Sequence, residues 1–291
     1  MDKNKLLIGV VSAFVVANAL AAQPPSPMQT RSAIPVSGPM LSASAVSFSD
    51  VELDEIENFD GWTGSVGFAL PVFETSQLTL DVPIYTDGDA KSTAPPGETF
   101  PPVTPGNYPN QNIEGNGGVW DYPTLEFQSQ IWNESDHAYV LGWYAGVGQV
   151  QESLDSKHDG QLYDVINHKG DVLLAGMLAE GDSSWGRWYA NTGARFYTQS
   201  DDLNPDHEDD FNVADLRFAN RFAPWAENLY PVLEVTYLGD FSGINQTSLL
   251  PELLYTPNDT VHLKTGLIVG AGSGNQFGGQ EPGDADEIAE F

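Results

Sequence analysis

Apolar and polar residues alternate along most of the chain after about residue 62. Between Leu233 and Tyr237, for example, every second side chain is apolar. Successive residues of a β-strand point to opposite faces, so this two-residue period predicts strands with one apolar and one polar face. No stretch has the 3.6-residue period of an amphipathic helix. About ten strands are predicted, near residues 65–72, 78–84, 125–131, 139–147, 166–178, 187–196, 214–221, 233–237, 248–255 and 261–269.

The connections between these strands are alternately short and long. Short polar connections are predicted at residues 74–77, 133–137, 180–184, 223–228 and 257–260. Longer ones are predicted at residues 87–118, 151–164, 199–210 and 239–246. Short periplasmic turns alternating with long external loops are typical of outer-membrane barrels. The predicted fold is therefore all-β, a single antiparallel up-and-down transmembrane β-barrel after a signal peptide.

The strand number follows from where the chain ends lie. Ten strands with these turns would leave both ends on the long-loop side, whereas bacterial barrels normally keep both ends in the periplasm. One more strand at residues 43–53 and a last one ending at Phe291 would correct this. Residues 286–291 are short and acidic for a membrane strand. Twelve strands are therefore preferred, and ten remain an alternative.

Aromatic residues flank the short connections. Amphipathic rings favour the headgroup level of a membrane, so a ring of them predicts a membrane girdle at the short-turn end. The alternative is the ordinary preference of aromatic residues for strands. The predicted girdle consists of Phe73, Trp132, Tyr139, Trp185, Phe222, Trp225, Tyr230 and Tyr255.

Charged residues occupy the polar faces of several strands. In a barrel they would project into the lumen, either as a constriction that orients an anionic solute or as salt bridges that close a narrow barrel. In a soluble sandwich they would form the solvated outer face. The predicted lumen-lining set is Glu126, Arg187, Arg195, Arg217, Arg221, Glu234, Glu252, His262 and Lys264.

The first residues have the three parts of an export signal. Two lysines precede an apolar run over residues 6–17, and small residues around Ala22 offer a cleavage site. An uncleaved anchor helix is the alternative. Residues 1–22 are thus predicted to be a signal peptide, residues 23–42 a mobile lead-in rich in Pro and Ser without a core of its own, and residues 43–291 the barrel.

Composition narrows the chemistry further. The formal net charge of -30 opposes binding to nucleic acid, and the absence of Cys excludes thiolate metal sites and cysteine nucleophiles. No cofactor motif is present, and no metal site is expected. The only candidate is a calcium-loop-like stretch that lacks the required Gly and distal Glu, for which a solvated acidic loop is preferred; it contains Asp202, Asn204, Asp206 and Glu208.

One hairpin has a family resemblance. Residues 249–259 read LLPELLYTPND and residues 261–267 read VHLKTGL. A strand with Pro and Tyr, a short Pro-Asn-Asp turn and a strand ending in Lys-x-Gly-Leu resemble the penultimate hairpin of transporter-like outer-membrane barrels. Among these is the putative MetA-pathway phenol-degradation family. The resemblance implies an outer-membrane barrel for uptake of small hydrophobic or aromatic compounds and implies no catalytic residues.

The expected function is passive passage or uptake of small molecules across the outer membrane of a Gram-negative bacterium. The expected partners are outer-membrane lipid, lipopolysaccharide and a small-molecule solute. A secreted β-sandwich that binds glycan or protein through acidic loops is the alternative, and an outer-membrane hydrolase is a third class. The sequence leaves the solute, the oligomeric state and the open or plugged state of the lumen undetermined.

Overall fold

In the computed structural model, thirteen strands form one antiparallel sheet. The structure describes residues 7–18, 26–53, 56–92, 112–115, 123–134, 137–158, 161–201, 210–239, 241, 245–258 and 260–273. The strands are β1 (Leu7–Asn18), β2 (Met40–Leu53), β3 (Ile56–Phe73), β4 (Ser76–Ser92), β5 (Asn112–Gly115), β6 (Thr124–Trp132), β7 (Val140–His158), β8 (Gln161–Ser183), β9 (Gly186–Asp201), β10 (Asp210–Phe222), β11 (Leu229–Gly239), β12 (Asn245–Asn258) and β13 (Val261–Ser273).

The strand pairings form a ring. Each strand from β7 to β13 pairs with the next one in sequence. The ring continues from β13 to β1, β2, β3 and β4. Both β5 and β6 lie between β4 and β7, so the thirteen strands occupy twelve positions. A ring of this kind leaves no free sheet edge, which is what a membrane-spanning sheet requires.

The burial pattern of the strands is the reverse of that in a soluble protein. On β11, Leu233 and Val235 are 37% and 42% exposed, whereas Glu234 between them is fully buried. The same alternation recurs around the ring, with exposed Leu125, Trp143, Leu173, Phe196, Phe218, Leu249 and Leu263. Exposed apolar side chains and buried carboxylates are stable only where the outer solvent is hydrocarbon. The architecture is therefore that of a transmembrane β-barrel.

The two-sheet sandwich is not what the structure shows. In a sandwich, Trp143 would face a dry layer between two sheets. In the structure it is exposed on the outer surface of the single ring. In the described part of the chain, no helix is long and apolar enough to cross a membrane.

The short turns sit close to their predicted places, and local side chains fix several of them. Gly186 follows the turn between β8 and β9 with φ of 143°, and a Cβ there would lie 2.0 Å from the carbonyl oxygen of Arg221. Only glycine fits this position. In the turn between β12 and β13, Asn258 Oδ1 accepts hydrogen bonds from the N–H groups of Thr260 and Val261 at 2.9 Å. This side chain replaces a backbone partner at the turn.

Three predicted connections are wrong in extent. The long loop predicted at residues 87–118 contains the end of β4, to Ser92, and all of β5. The long loop predicted at residues 151–164 is mostly strand, because β7 continues to His158 and β8 begins at Gln161. Backbone pairing continues beyond the apolar band, where strand residues no longer have to be apolar, so the hydrophobic pattern underestimates strand length. The turn predicted at 180–184 lies at Ser184 and Trp185, and Glu180 belongs to β8.

The two ends of the predicted barrel have different outcomes. The predicted strand at residues 43–53 is present as β2, which begins slightly earlier, at Met40. The predicted last strand ending at Phe291 lies outside the described residues. Residues 7–18, inside the predicted signal peptide, form β1 between β13 and β2. Cleavage after Ala22 would remove β1, so the signal peptide stays a prediction that a mass measurement can decide.

Candidate functional site inside the barrel

Residues 26–39 lie inside the ring of strands, and we call them the interior segment. They precede β2 and have no regular secondary structure. Thr30 and Ala33 are almost fully buried. Inward-facing side chains of widely separated strands, among them Gln77 on β4 and Lys264 on β13, form hydrogen bonds with this segment. Only a position in the barrel interior allows contact with both of these strands at once.

Glu234 on β11 holds the first part of the interior segment. Its carboxylate accepts hydrogen bonds from the N–H groups of Met28, Gln29 and Thr30 at 2.5, 3.0 and 2.7 Å. The Thr30 hydroxyl donates a further bond of 2.7 Å to the same carboxylate. Glu252 on β12 accepts a second bond from the Met28 N–H at 3.2 Å. A buried carboxylate needs such donors, because without them its desolvation is uncompensated.

Other wall residues hold the N–H groups in the rest of the segment. Asn191 on β9 accepts from the Arg31 N–H at 2.7 Å and donates to the Arg31 carbonyl at 3.0 Å. Glu180 on β8 accepts from the Ala33 N–H at 2.9 Å and from the Ser32 hydroxyl at 2.6 Å. Gln77 on β4 accepts from the Val36 N–H at 2.7 Å.

Carbonyl groups of the segment receive donors from the same wall. Lys264 Nζ on β13 donates to the Pro27 carbonyl at 2.9 Å, and Arg217 Nη1 on β10 donates to the Gln29 carbonyl at 2.7 Å. Gln128 Nε2 on β6 donates to the Ser32 carbonyl at 2.8 Å. The wall therefore supplies the backbone partners that a neighbouring strand would otherwise provide.

Arg31 is the only charged residue of the segment, and it has a shaped site. Its guanidinium lies 4.4 Å from the ring centroid of Tyr144 and 2.8 Å from Glu126 Oε2. Tyr144 in turn lies against two glycines, because a Cβ at Gly193 or Gly176 would meet the tyrosine at 2.3 or 2.7 Å. The two glycines thus make room for the aromatic side chain of Tyr144. Tyr144 and the Glu126 carboxylate together hold the Arg31 guanidinium.

Apolar contacts fix both ends of the segment. Ala33 packs in a buried cluster with Val140, Leu174 and Leu178, and Ile34 lies against it. Met28 packs against Leu250 and Ile268 on the opposite part of the wall. At these places the inward-facing residues that contact the segment are apolar.

The interior segment corrects the interpretation of residues 23–42 as a mobile lead-in. A sequence of Pro, Ser and small residues has no periodicity of its own, so it resembles a linker. Its buried state depends on acceptors and donors from distant strands, such as Glu234 and Lys264. One sequence feature could have indicated a buried segment. The polar faces of the strands carry many charged and amide residues, and buried polar groups need hydrogen-bond partners.

Beside the segment, arginines and acids form two ion-pair groups, of which the first extends from buried Glu180 to exposed Asp182. Arg187 bonds to Glu180 at 2.8 Å, to Glu134 at 2.5 Å and to Asp182 at 3.1 Å. In the second group, Asp215 lies between two arginines on neighbouring strands. Arg195 Nη2 lies 3.1 Å from its carboxylate, and Arg217 Nε lies 2.6 Å from it. The first group bonds Ser32 through Glu180, and the second bonds the Gln29 carbonyl through Arg217.

All nine predicted lumen-lining residues are buried or partly buried, and their lining of a lumen stays a prediction. Buried side chains are Glu126, Arg187, Glu234, Glu252, His262 and Lys264, and partly buried ones are Arg195, Arg217 and Arg221. Sequence analysis missed Gln77, Gln128, Tyr144, Glu180, Asn191 and Asp215. The side-chain amides Gln77, Gln128 and Asn191 were missed because an uncharged residue on the polar face of a strand has no sequence feature that distinguishes a lumen residue from a solvated one. Glu180 was missed because it was assigned to a turn.

The predicted girdle residues lie at or near the short turns. Trp225, Phe73 and Trp185 are the most exposed, at 74%, 68% and 67%. Tyr139 and Tyr255 are also exposed, and Trp132, Phe222 and Tyr230 are partly buried. Tyr139 packs edge-on against Trp132 with ring centroids 5.8 Å apart.

The calcium candidate Asp202, Asn204, Asp206 and Glu208 lies outside the described residues. Within the described part of the chain, no His, Asp or Glu cluster could hold a metal ion.

The interior segment occupies the half of the barrel near the short turns. Gln77 lies two residues beyond the turn at residues 74–75, and Lys264 lies four residues beyond Thr260. Glu180 lies four residues before the turn at Ser184. In a barrel with periplasmic short turns, this is the periplasmic half.

No family model matches the chain, and no curated protein matches it. Among solved structures, similarity is found to the CymD monoaromatic hydrocarbon channel, with 10% identity and a TM-score of 0.39, covering 94% of this chain and 89% of that one. A FadL homologue from Pseudomonas aeruginosa has 10% identity and a TM-score of 0.40, covering 92% and 88%. The translocator domain of the autotransporter NalP from Neisseria meningitidis has 11% identity and a TM-score of 0.39, covering 94% and 90%. Likenesses this distant assign neither a family nor a function.

Proposed function

We propose that this protein is an outer-membrane barrel for passive passage of small molecules, and that the interior segment occludes it at the short-turn end. The observation that carries the proposal is the opposition of faces on each strand. Leu233 and Val235 face outward and Glu234 faces a segment that fills the interior. A barrel with a polar wall can conduct solutes, and a segment bonded to that wall restricts them.

Displacement of the interior segment would offer both polar and apolar surface to a solute. Polar side chains surround the interior segment along most of its length, and Val140, Leu174 and Leu178 provide an apolar patch. The hairpin at residues 249–267 resembles barrels for small hydrophobic or aromatic compounds, so these compounds are the first solutes to test. The exposed aromatic residues near the short turns would contact lipid at the membrane interface.

Export is part of the proposal. Residues 1–22 would direct the chain across the inner membrane and be removed after Ala22. Because this removal takes away β1, the strands β2 and β13 would then have to pair with each other to close the barrel that contacts outer-membrane lipid and lipopolysaccharide. The test separates inner from outer membrane and compares gel mobility with and without boiling. We expect outer-membrane location, a heat-dependent shift and an intact mass that begins at Gln23. A soluble protein without the shift would contradict the barrel.

Occlusion is tested by electrical recording in planar bilayers and by solute entry into liposomes. Glu234→Ala removes the acceptor of three successive N–H groups and should raise the conductance and the rate of solute entry about tenfold or more over the unaltered chain. Ser248→Ala is the matched control, because Ser248 is also buried and polar, and none of the described hydrogen bonds joins it to the segment. Equal conductance of the two variants, both correctly folded by the heat-dependent shift, would overturn the occlusion.

A further inference from the structure

The wall around the interior segment is matched to a peptide backbone rather than to a particular set of side chains. N–H groups meet Glu234, Asn191, Glu180 and Gln77, and carbonyl groups meet Lys264, Arg217, Gln128 and again Asn191. We propose that this wall is a binding site for bent peptides carrying an arginine, because residues 28–30, 33–34 and 37–38 of the present occupant are bends and the N–H groups of residues 28–30 all point at Glu234. The interior segment is then its tethered and exchangeable occupant. This inference depends on the barrel of the proposed function but not on its solute.

The arrangement of donors and acceptors identifies the ligand class. Going around the wall, Lys264 donates to one carbonyl, Glu234 accepts from the next N–H groups, and Arg217 donates to the carbonyl between them. Asn191 bonds to both the N–H and the carbonyl of a single residue. An aromatic hydrocarbon offers no groups for these partners, whereas a peptide backbone offers both kinds. The three successive N–H groups that meet Glu234 require a bent backbone, because successive N–H groups of an extended chain point to opposite sides.

Side-chain selectivity is confined to the centre of the segment. The Thr30 and Ser32 hydroxyls bond to Glu234 and Glu180. Arg31 between them occupies the site formed by Tyr144 and Glu126. By contrast, Gln29 and Val36 bond to the wall through backbone atoms. A ligand therefore needs an arginine, gains from neighbouring hydroxyls and from apolar side chains at the positions of Met28, Ala33 and Ile34, and can vary at the positions of Gln29 and Val36.

The wall would be unstable without an occupant of this kind. Glu234 is fully buried. The hydrogen bonds described for its carboxylate come from the interior segment, namely from the N–H groups of Met28, Gln29 and Thr30 and from the Thr30 hydroxyl. Glu252 Oε2 is buried without a hydrogen-bond partner among the described residues, which leaves room for one more donor from a ligand. Buried carboxylates that lose their donors are costly, so exchange of one peptide for another is favoured over an empty wall.

The experiment measures binding of a synthetic peptide with the sequence of residues 26–39, fluorescently labelled, to the full chain in detergent micelles. In the unaltered chain the tethered segment competes at an effective concentration of about a millimolar, so free peptide should bind weakly. Arg31→Ala combined with Ser32→Ala weakens the tethered segment and leaves the wall intact. Fluorescence anisotropy should then show about tenfold or greater tightening of apparent peptide affinity.

Two controls make the result specific to the wall. A peptide in which alanine replaces the arginine should bind the double variant about tenfold more weakly than the parent peptide. Adding Glu234→Ala to the double variant should abolish binding, whereas adding Ser248→Ala should not change it. Failure of a folded double variant to bind the peptide, or binding that survives Glu234→Ala, would overturn the proposal. Conductance of the same variants reports on solute passage separately, so the two proposals can fail independently.

Discussion

The outer face and the interior of this barrel are stabilised by different means, although adjacent residues contribute to both. On β11, Leu233 contributes apolar area to the outer surface, where any side chain of similar hydrophobicity would serve. Glu234, the next residue, has a single set of partners on the interior segment. The outer face tolerates substitution within a class, whereas the interior depends on individual hydrogen bonds.

The largest effect is expected inside, at Asp215. Asp215→Ala would leave the buried guanidinium groups of Arg195 and Arg217 without their shared carboxylate. Breaking a buried pair by removing one partner costs about 3–5 kcal/mol. Urea unfolding in lipid vesicles measures the loss. Asp182→Asn is the control, because Asp182 is 74% exposed and its pairing with Arg187 should contribute less than about 1 kcal/mol. Similar losses for the two variants would remove the distinction between buried and exposed pairs.

A charge on the outer face should have the next largest effect. Leu233→Arg places a cation in hydrocarbon and should lower the free energy of unfolding by about 2–4 kcal/mol if the residue lies at the midplane. The same urea titration measures it, with Leu233→Phe as the control that keeps the surface apolar. If arginine and phenylalanine had equal effects, Leu233 would not face lipid.

The smallest effect is expected at a turn. Asn258→Ala removes the oxygen that accepts from Thr260 and Val261. Because the site is exposed, water replaces the lost bonds, and the loss should be about 0.5–1 kcal/mol. A small drop in the temperature of the heat-dependent gel shift checks this prediction. A loss as large as that of Asp215→Ala would mean that the turn controls the whole barrel.

Sequence reasoning was effective for the outer face and weak for the interior. Alternation at Leu233 and Glu234 predicts which side chain faces outward, because a strand has only two faces. The position of residues 26–39 depends on contacts such as Val36 with Gln77, 41 residues apart, and Thr30 with Glu234, 204 residues apart. No local pattern encodes such pairs. Strand ends were also misplaced where polar residues continue the ladder, as between Lys157 and Leu162.

The interior segment is a short run of chain that enters no strand of the barrel wall. Its exchange would leave every lipid-facing residue and every strand pairing unchanged. Permeability and membrane assembly are thus encoded in separate stretches of the sequence. Such a division allows the permeability of a barrel to evolve, or to be engineered, by rewriting residues 26–39 alone.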